Sequence, residues 1–196
     1  MVKLVHRNPE PVELTAFNNQ YPHATPQDWG RDIFQPAKIA VKAALNQDQG
    51  GLCVYCEKKL NDDHGHVEHI KPKAGPNGHP HLCYVYTNHA QSCMTHNTCG
   101  QRKGNELLPI EPGPGCNAGW SLSTDGTIEA AVGITQERQT AVEQTRDILG
   151  LNDNAELVDE RRAWFEAAIE VEEEDPSSLP GFLSTAPYRY ILSTVF

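Results

Sequence analysis

The period of the apolar positions changes several times along the chain, and each change marks an element. "PAKIAVKAALNQDQGG" places Ile39, Val41, Ala44 and Leu45 for a short amphipathic helix that Gly50 and Gly51 stop. Residues 66–71 and 82–88 ("LCYVYTN") are rich in β-branched and aromatic side chains, and the linker "AGPNGHP" between them predicts a hairpin with a long loop. After Cys99, "GQRKGNELLP" predicts a short helix closed by Pro109, and the glycines and prolines of residues 111–127 read as loop. Two longer helices follow. One runs from Thr135 to Leu149 and ends at Gly150; the other runs from Asn154 to Glu174 with Leu157, Val158, Trp164, Phe165, Ala168 and Ile169 as its buried stripe. "EVEEEDPSS" reads as a solvated end before a helix-breaking proline, and no repeat is visible.

At 196 residues the chain is long enough for one compact unit with its own core. No apolar run approaches the roughly 18 residues that a membrane span needs, and "MVKLVHRNPEP" lacks the apolar centre of a signal peptide. A cytoplasmic protein with no membrane partner is therefore expected. Six cysteines in a reducing compartment point to metal rather than to disulfides. The formal charge of −10 argues against nucleic acid until its distribution is counted. Residues 57–103 carry six basic groups against four acidic ones, including Asp62 and Asp63, and hold seven of the nine histidines. Residues 104–196 carry five basic and seventeen acidic groups, so the acidity belongs to the C-terminal part and the middle is locally basic.

"CVYC" sets Cys53 and Cys56 in CxxC spacing, the knuckle with which two thiolates grip one tetrahedral Zn²⁺. Cys93 and Cys99 of "SCMTHNTCGQRKGN" form a second pair, and two pairs bracketing a hairpin predict a closed structural zinc site. The wide spacing of the second pair leaves His96 as a competing ligand, in a Cys-x-x-His register with Cys93. Cys83 alternates with apolar neighbours and belongs to the core, while Cys116 lies in a glycine loop without a partner in sequence. Between the pairs stand Glu68, His69 and Asn88. A closed zinc site does no chemistry, so these three need another reason: carboxylate and carboxamide oxygens suit a divalent cation such as Mg²⁺, and a neutral imidazole beside them can take a proton from water. Adjacent residues of a strand point to opposite faces, so Glu68 and His69 in "HVEHIKPK" require some special local geometry to serve one site.

The order CxxC, acid-His-Ile-x-Pro, Asn-x4-Cys, Cys-x3-Lys-Gly, carried by "CVYC", "EHIKP", "NHAQSC" and "CGQRKGN", resembles the HNH endonucleases. The resemblance implies an α+β fold: a zinc-stapled ββα-metal core at residues 51–110, preceded by an N-terminal segment and helix (1–50) and followed by an acidic, mainly helical extension (111–196). It implies that His69 is the general base, that Glu68 binds the catalytic cation, Mg²⁺ or Mn²⁺, and that Asn88 supports the hairpin. Lys71, Lys73, Arg102 and Lys103 are the expected phosphate contacts. "GLCVYCEKKL", "VEHIKPK", "CGQRKGNELLP" and "TRDILGLNDNAELVDERR" are similar to the PtuB-type (Septu) and retron-associated HNH nucleases of bacterial anti-phage systems, over most of residues 35–165. That likeness implies DNA as substrate and a PtuA-like ABC/SMC-class ATPase as partner; the amphipathic helices between Thr135 and Glu174 are expected either to dock it or to pack against their own nuclease core. One position departs from the HNH pattern: Gly100 stands where Asn, His or Asp follows the last cysteine, so His96, Asn97 or an extra water on the metal would fill that place. The competing readings are a catalytically silent zinc module that docks a partner and an RNA-cutting HNH nuclease.

Overall fold

The computed structural model describes residues 1–60 and 65–196. At the N-terminal end α1 (Val12–Gln20) packs on α2 (Gln35–Asp48). Pro36 sits in the first turn of α2, where a missing N–H costs nothing. The buried face of α2 is Ala37, Val41, Ala44 and Leu45, at i, i+4, i+7 and i+8, whereas Ile39 is 68% exposed. Ile39 was expected in this stripe; at 100° per residue it lies two steps from either neighbour and faces away.

β1 (His66–His69) and β2 (His89–Ser92) form an antiparallel ribbon in which Glu68 faces Ala90 and His69 faces His89. The second strand thus starts at His89, and "LCYVYTN" (82–88), expected as strand, begins at the end of the 3₁₀ turn 80–82 and closes with the 3₁₀ turn 86–88. Its β-rich composition serves burial instead: Cys83 and Tyr86 enter an aromatic cluster with Phe17, Trp29, Phe34 and Val67. Next comes α3 (Cys99–Lys103), which stops at Gly104 with φ +52°, well before Pro109. The stretch 111–127, expected to be loop throughout, contains β3 (Trp120–Leu122), which pairs with β4 (Ile128–Ala130). The alternation is short but complete: Trp120, Leu122 and Ile128 are buried and Ser121 is not.

The two long helices end where their caps dictate. α4 (Gln136–Leu149) begins after Thr135, whose Oγ1 accepts from Arg138 N at 3.3 Å, and ends at left-handed Gly150. α5 (Ala155–Glu174) begins after Asn154, whose Oδ1 accepts from Leu157 N at 2.9 Å. Their apolar stripes are spent on the chain's own core, which joins Val142, Leu149, Leu157 and Phe165 to all four cysteines of the two predicted pairs. α6 (Leu179–Thr185) and α7 (Arg189–Leu192) then return to the middle of the molecule. There Glu57 accepts from the Met1 ammonium through Oε1 (2.8 Å) and from Tyr190 N through Oε2 (2.7 Å). No helix among the described residues is long and apolar enough to cross a membrane.

The centre of the buried face of α5 is not apolar. Arg161 is fully buried, with Nε donating to Gly126 O (2.8 Å) and Nη2 to Leu151 O (2.7 Å). Replacing it by methionine keeps the bulk and strands both carbonyls. Arg161→Met should therefore lower the unfolding free energy by about 2–4 kcal/mol, read from urea titrations followed by circular dichroism. A loss below about 1 kcal/mol would show that these bonds do not hold the arm.

Candidate active site and metal centre

The first constellation is built of sulfur. Cys53 and Cys56 lie in a tight turn closed by Cys53 N donating to Lys58 O (2.9 Å) and pinned to β2 by Val54 N donating to Gln91 O (3.0 Å). Cys93 follows the end of β2, and Cys99 opens α3 in the left-handed region with φ +54°. The four ligand atoms lie within 4.8 Å of one another, all buried. Cys56 and Cys93 are 3.9 Å apart, and tetrahedral Zn–S bonds of about 2.3 Å require sulfurs about 3.8 Å apart. The donor set therefore fits a zinc ion. Hydrogen bonds from Cys53, Cys56 and Cys99 pull the Cys93 thiol far below the ordinary cysteine range, while burial pushes Cys99 well above it. Four thiolates this close repel one another unless a dication sits between them. His96 and Asn97 are exposed on the loop before α3, outside this group. Cys83 is buried in the aromatic cluster, and Cys116 donates to Met1 O at 3.6 Å.

The second constellation is the end of β1, and its two faces do different things. On one face stand His66 and Glu68, two residues apart and hence side by side. His66 Nε2 is 3.3 Å from Glu68 Oε2, and both press on Gly100, where a Cβ would come within 2.7 Å of that oxygen and 3.0 Å of that nitrogen. The side chain missing at Gly100 thus makes room for His66. This residue was overlooked in the sequence, although the His-x-Glu spacing of "HVEH" signals it. Among the described residues nothing partners the buried Nδ1 of His66. The other carboxylate oxygen, Glu68 Oε1, accepts from Lys103 Nζ at 2.9 Å, and the same ammonium donates to His69 O at 3.0 Å. Among the described residues, Glu68 Oε2 and His66 Nε2 are atoms here that could hold a cation; a carboxylate with an imidazole suits Mn²⁺ or Mg²⁺ completed by waters.

On the opposite face His69, the last residue of β1, meets the indole of Trp29 edge-on at 4.3 Å and the ring of His89 at 5.1 Å. Its Nε2 and that of His89 both lie within hydrogen-bond reach of Cys83 O, at 3.1 and 2.8 Å. A carbonyl only accepts, so both rings carry Nε2–H and keep their lone pair on Nδ1. Burial, with help from His89 and Lys73, pushes the pKa of His69 down to about 3, and burial pushes that of His89 down to about 4. Asn88 closes the strand entrance: Lys71 N donates to Oδ1 (2.8 Å), and Nδ2 donates to Lys71 O (3.0 Å). Both ends of its carboxamide are spent on backbone, so its work here is to hold the loop to the strand. The faces meet at the strand end, where one cavity of about 500 Å³ is lined by His66, Glu68 and His69 together with Trp29.

The four expected phosphate contacts are separated by the fold. Lys103 is 1% exposed and committed to Glu68. Arg102 pairs with Asp153 at 2.7 Å, and Lys71 approaches Glu111 at 3.8 Å. Lys73 alone of the four lines the cavity, and two lysines not anticipated from sequence, Lys38 and Lys42 of α2, line it too.

No family model matches the chain. A protein of Vibrio cholerae serotype O1 biovar El Tor, named "Retron Vc95 putative HNH endonuclease", is 43% identical over 158 residues, which cover 78% of this chain and 77% of the relative.

Two measurements test this geometry. Purified protein should carry about one zinc per chain by mass spectrometry; Cys99→Ser should lose it and melt lower, and His96→Ala should keep it. Zinc kept by Cys99→Ser and lost by His96→Ala would instead favour the Cys-x-x-His register. In ¹⁵N spectra at pH 6 the rings of His69 and His89 should be neutral Nε2–H tautomers, because the folded-state pKa values of about 3 and about 4 lie below that pH. A half-protonated His69 at pH 6 would refute the desolvated placement.

Proposed function

The chain belongs to the HNH endonuclease family, and we propose that it is the nuclease of a bacterial anti-phage system, cutting DNA with the aid of Mg²⁺ or Mn²⁺ and working with an ATPase subunit. In this reading β1, β2 and α3 are the ββα-metal core, and Cys53, Cys56, Cys93 and Cys99 are its zinc staple. The observation that carries the proposal is the pairing, within one cavity, of a tethered neutral imidazole at His69 with the Glu68–His66 couple across the strand.

In the mechanism His69 is the general base. The Cys83 carbonyl holds its Nε2–H, so Nδ1 receives the proton of the attacking water. Burial keeps the ring unprotonated before substrate arrives, and an anionic phosphodiester beside it favours the protonated form, which raises its basicity during the reaction. Glu68 and His66 would hold the catalytic cation, and Lys103 fixes Glu68 by taking the other carboxylate oxygen. A bound divalent cation supplies polarisation of the phosphate and a counter-charge for the leaving 3′ oxygen. Asn88 positions the end of β1 through its two bonds to Lys71. The products carry 5′-phosphate and 3′-hydroxyl ends.

The partner follows from charge and from likeness. Residues 104–196 hold seventeen acidic groups against five basic ones, and such a surface repels a DNA backbone. An ATPase subunit would supply the trigger and most of the attraction at physiological salt, where the chain's own few lysines are screened. The named relative belongs to a retron, and the resemblance to PtuB-type proteins points to a PtuA-like ATPase.

His69→Ala should fold, retain zinc, and lose Mn²⁺-dependent cleavage of plasmid DNA by on the order of 10²–10⁴-fold, since that is what a general base supplies. Wild-type cutting by this variant would remove His69 from the mechanism. Glu68→Ala and His66→Ala should each weaken Mn²⁺ binding, followed by electron paramagnetic resonance of the free ion, and an unchanged affinity in both would move the cation elsewhere. The ATPase is tested by copurification with the product of the adjacent gene and by cleavage with and without it: vigorous, salt-tolerant cutting by the lone chain would show that no partner is needed.

A further inference from the structure

We propose that the N-terminal helical segment forms part of the substrate site, with Lys38 and Lys42 of α2 and Lys73 after β1 cradling the phosphate backbone of a nucleic acid across the cavity of His69. The proposal rests on the nuclease reading and names the side chains that hold its substrate. Lys38 and Lys42 are one turn apart, and together with Gln35 and Ile39 they make up the face of α2 that lines the cavity, opposite Glu68, His66 and His69. From the other side Lys73 closes over the same wall: the ammonium groups of Lys38 and Lys73 each stand 5.6 Å from the centroid of the Trp29 ring.

Like charges one turn apart on a helix, and a third that shares one indole with the first of them, oppose folding. Among the described residues no carboxylate lies within 4.0 Å of any of the three, whereas Lys58, Lys71, Arg102 and Lys103 all have acidic partners. The chain has 26 acidic side chains to offer and places none of those described here. Burial, and then Lys73, press Lys38 toward losing its proton. An incoming anion relieves that pressure, which is the behaviour of a site shaped for negative charge. The exposed Ile39 also finds its place here, at the rim of the cavity.

The cradle further limits what can be recognised. Trp29 is only 9% exposed, packed edge-on against His69 and covered by two ammonium groups. It has no free face on which a base could stack. Lysines contacting phosphates carry no sequence information, so this site reads the backbone and is indifferent to base order.

The test is performed in the His69→Ala background, so that substrate survives. Binding of a fluorescein-labelled 20-base-pair DNA duplex is followed by anisotropy between about 20 and 200 mM salt, without added Mg²⁺. The slope of log K against log salt should fall by about 0.9 for each lysine removed. Lys38→Gln, Lys42→Gln and Lys73→Gln combined should weaken binding at least about tenfold at the low-salt end. Lys3→Gln, which makes the same change in charge as any one of these replacements but away from the cavity, should leave the slope unchanged. Zinc content and circular dichroism confirm folding, and the single Lys42→Gln variant gives a minimal change should the triple variant not fold. A second duplex of unrelated sequence should bind equally, and an RNA duplex of the first sequence tells whether the cradle distinguishes the two backbones. Failure of the parent to bind either nucleic acid, or an unchanged slope in the triple variant, overturns the cradle. Cutting by the wild type with intact binding in the triple variant overturns the cradle and spares the nuclease reading. Lysine-dependent binding with no cleavage under Mn²⁺, with the ATPase subunit present as well as absent, does the reverse.

Discussion

Four sulfurs hold together a set of elements that could not stand alone. β1 and β2 are four residues each and α3 is five. A two-stranded ribbon is marginal in water, and a helix of one turn more so. Cys53 and Cys56 precede the ribbon, Cys93 follows it and Cys99 starts the helix, so their convergence ties all the segments at one point. The surrounding bonds repeat the constraint. Gln49 accepts from Gln91 N at 2.6 Å and donates to Leu52 O at 2.7 Å, stitching the end of α2 to the knuckle and to β2. Lys58 reaches across to Glu160 on α5 at 2.6 Å. Burial presses the Arg161 guanidinium toward losing its proton, and thiolate charge at Cys56 opposes this, so a zinc-bound cluster would hold the C-terminal arm by charge as well as by packing.

Much of this was legible in the sequence because the signals were local. Thr135, Gly150 and Asn154 mark helix ends by their own chemistry, and the bounds of α4 and α5 fall within a residue of them. The cysteine spacing likewise pointed to the four residues that come together. What was missed depends on tertiary context. The aromatic run before Asn88 has strand composition, but Cys83 and Tyr86 have a cluster to fill, and burial decided the backbone. Arg161 hid within an apolar stripe because its partners, Gly126 and Leu151, are remote or lie beyond the preceding turn. Lys38 and Lys42 drew no expectation, since nothing in their neighbourhood in sequence says that β1 lies opposite.

The histidine beside Glu68 is the instructive omission. The eye follows the adjacent pair Glu68 and His69, yet adjacency on a strand separates side chains and alternation unites them. His66 shares a face with Glu68; His69 shares its face with Val67 and the aromatic cluster. The question raised by two neighbours on opposite faces is answered by the strand's end, where the cavity wraps around both. Charge follows the same division. The acidic groups are concentrated in residues 104–196, whereas the described lining of the cavity carries three lysines against the one carboxylate of Glu68, itself paired with Lys103.

Glycine at position 100 alters how the centre responds to mechanical distortion. Where a carboxylate and an imidazole come from separate elements, any sliding of helix against strand changes their separation. Here Glu68 and His66 are two residues apart on one strand, and the covalent chain sets their spacing. The helix contributes clearance at Gly100 and, one turn later, the ammonium of Lys103. Small shear of α3 would loosen the grip on Glu68 Oε1 while leaving the Glu68–His66 couple intact, so the helix can work as a clutch on the pair rather than as half of it.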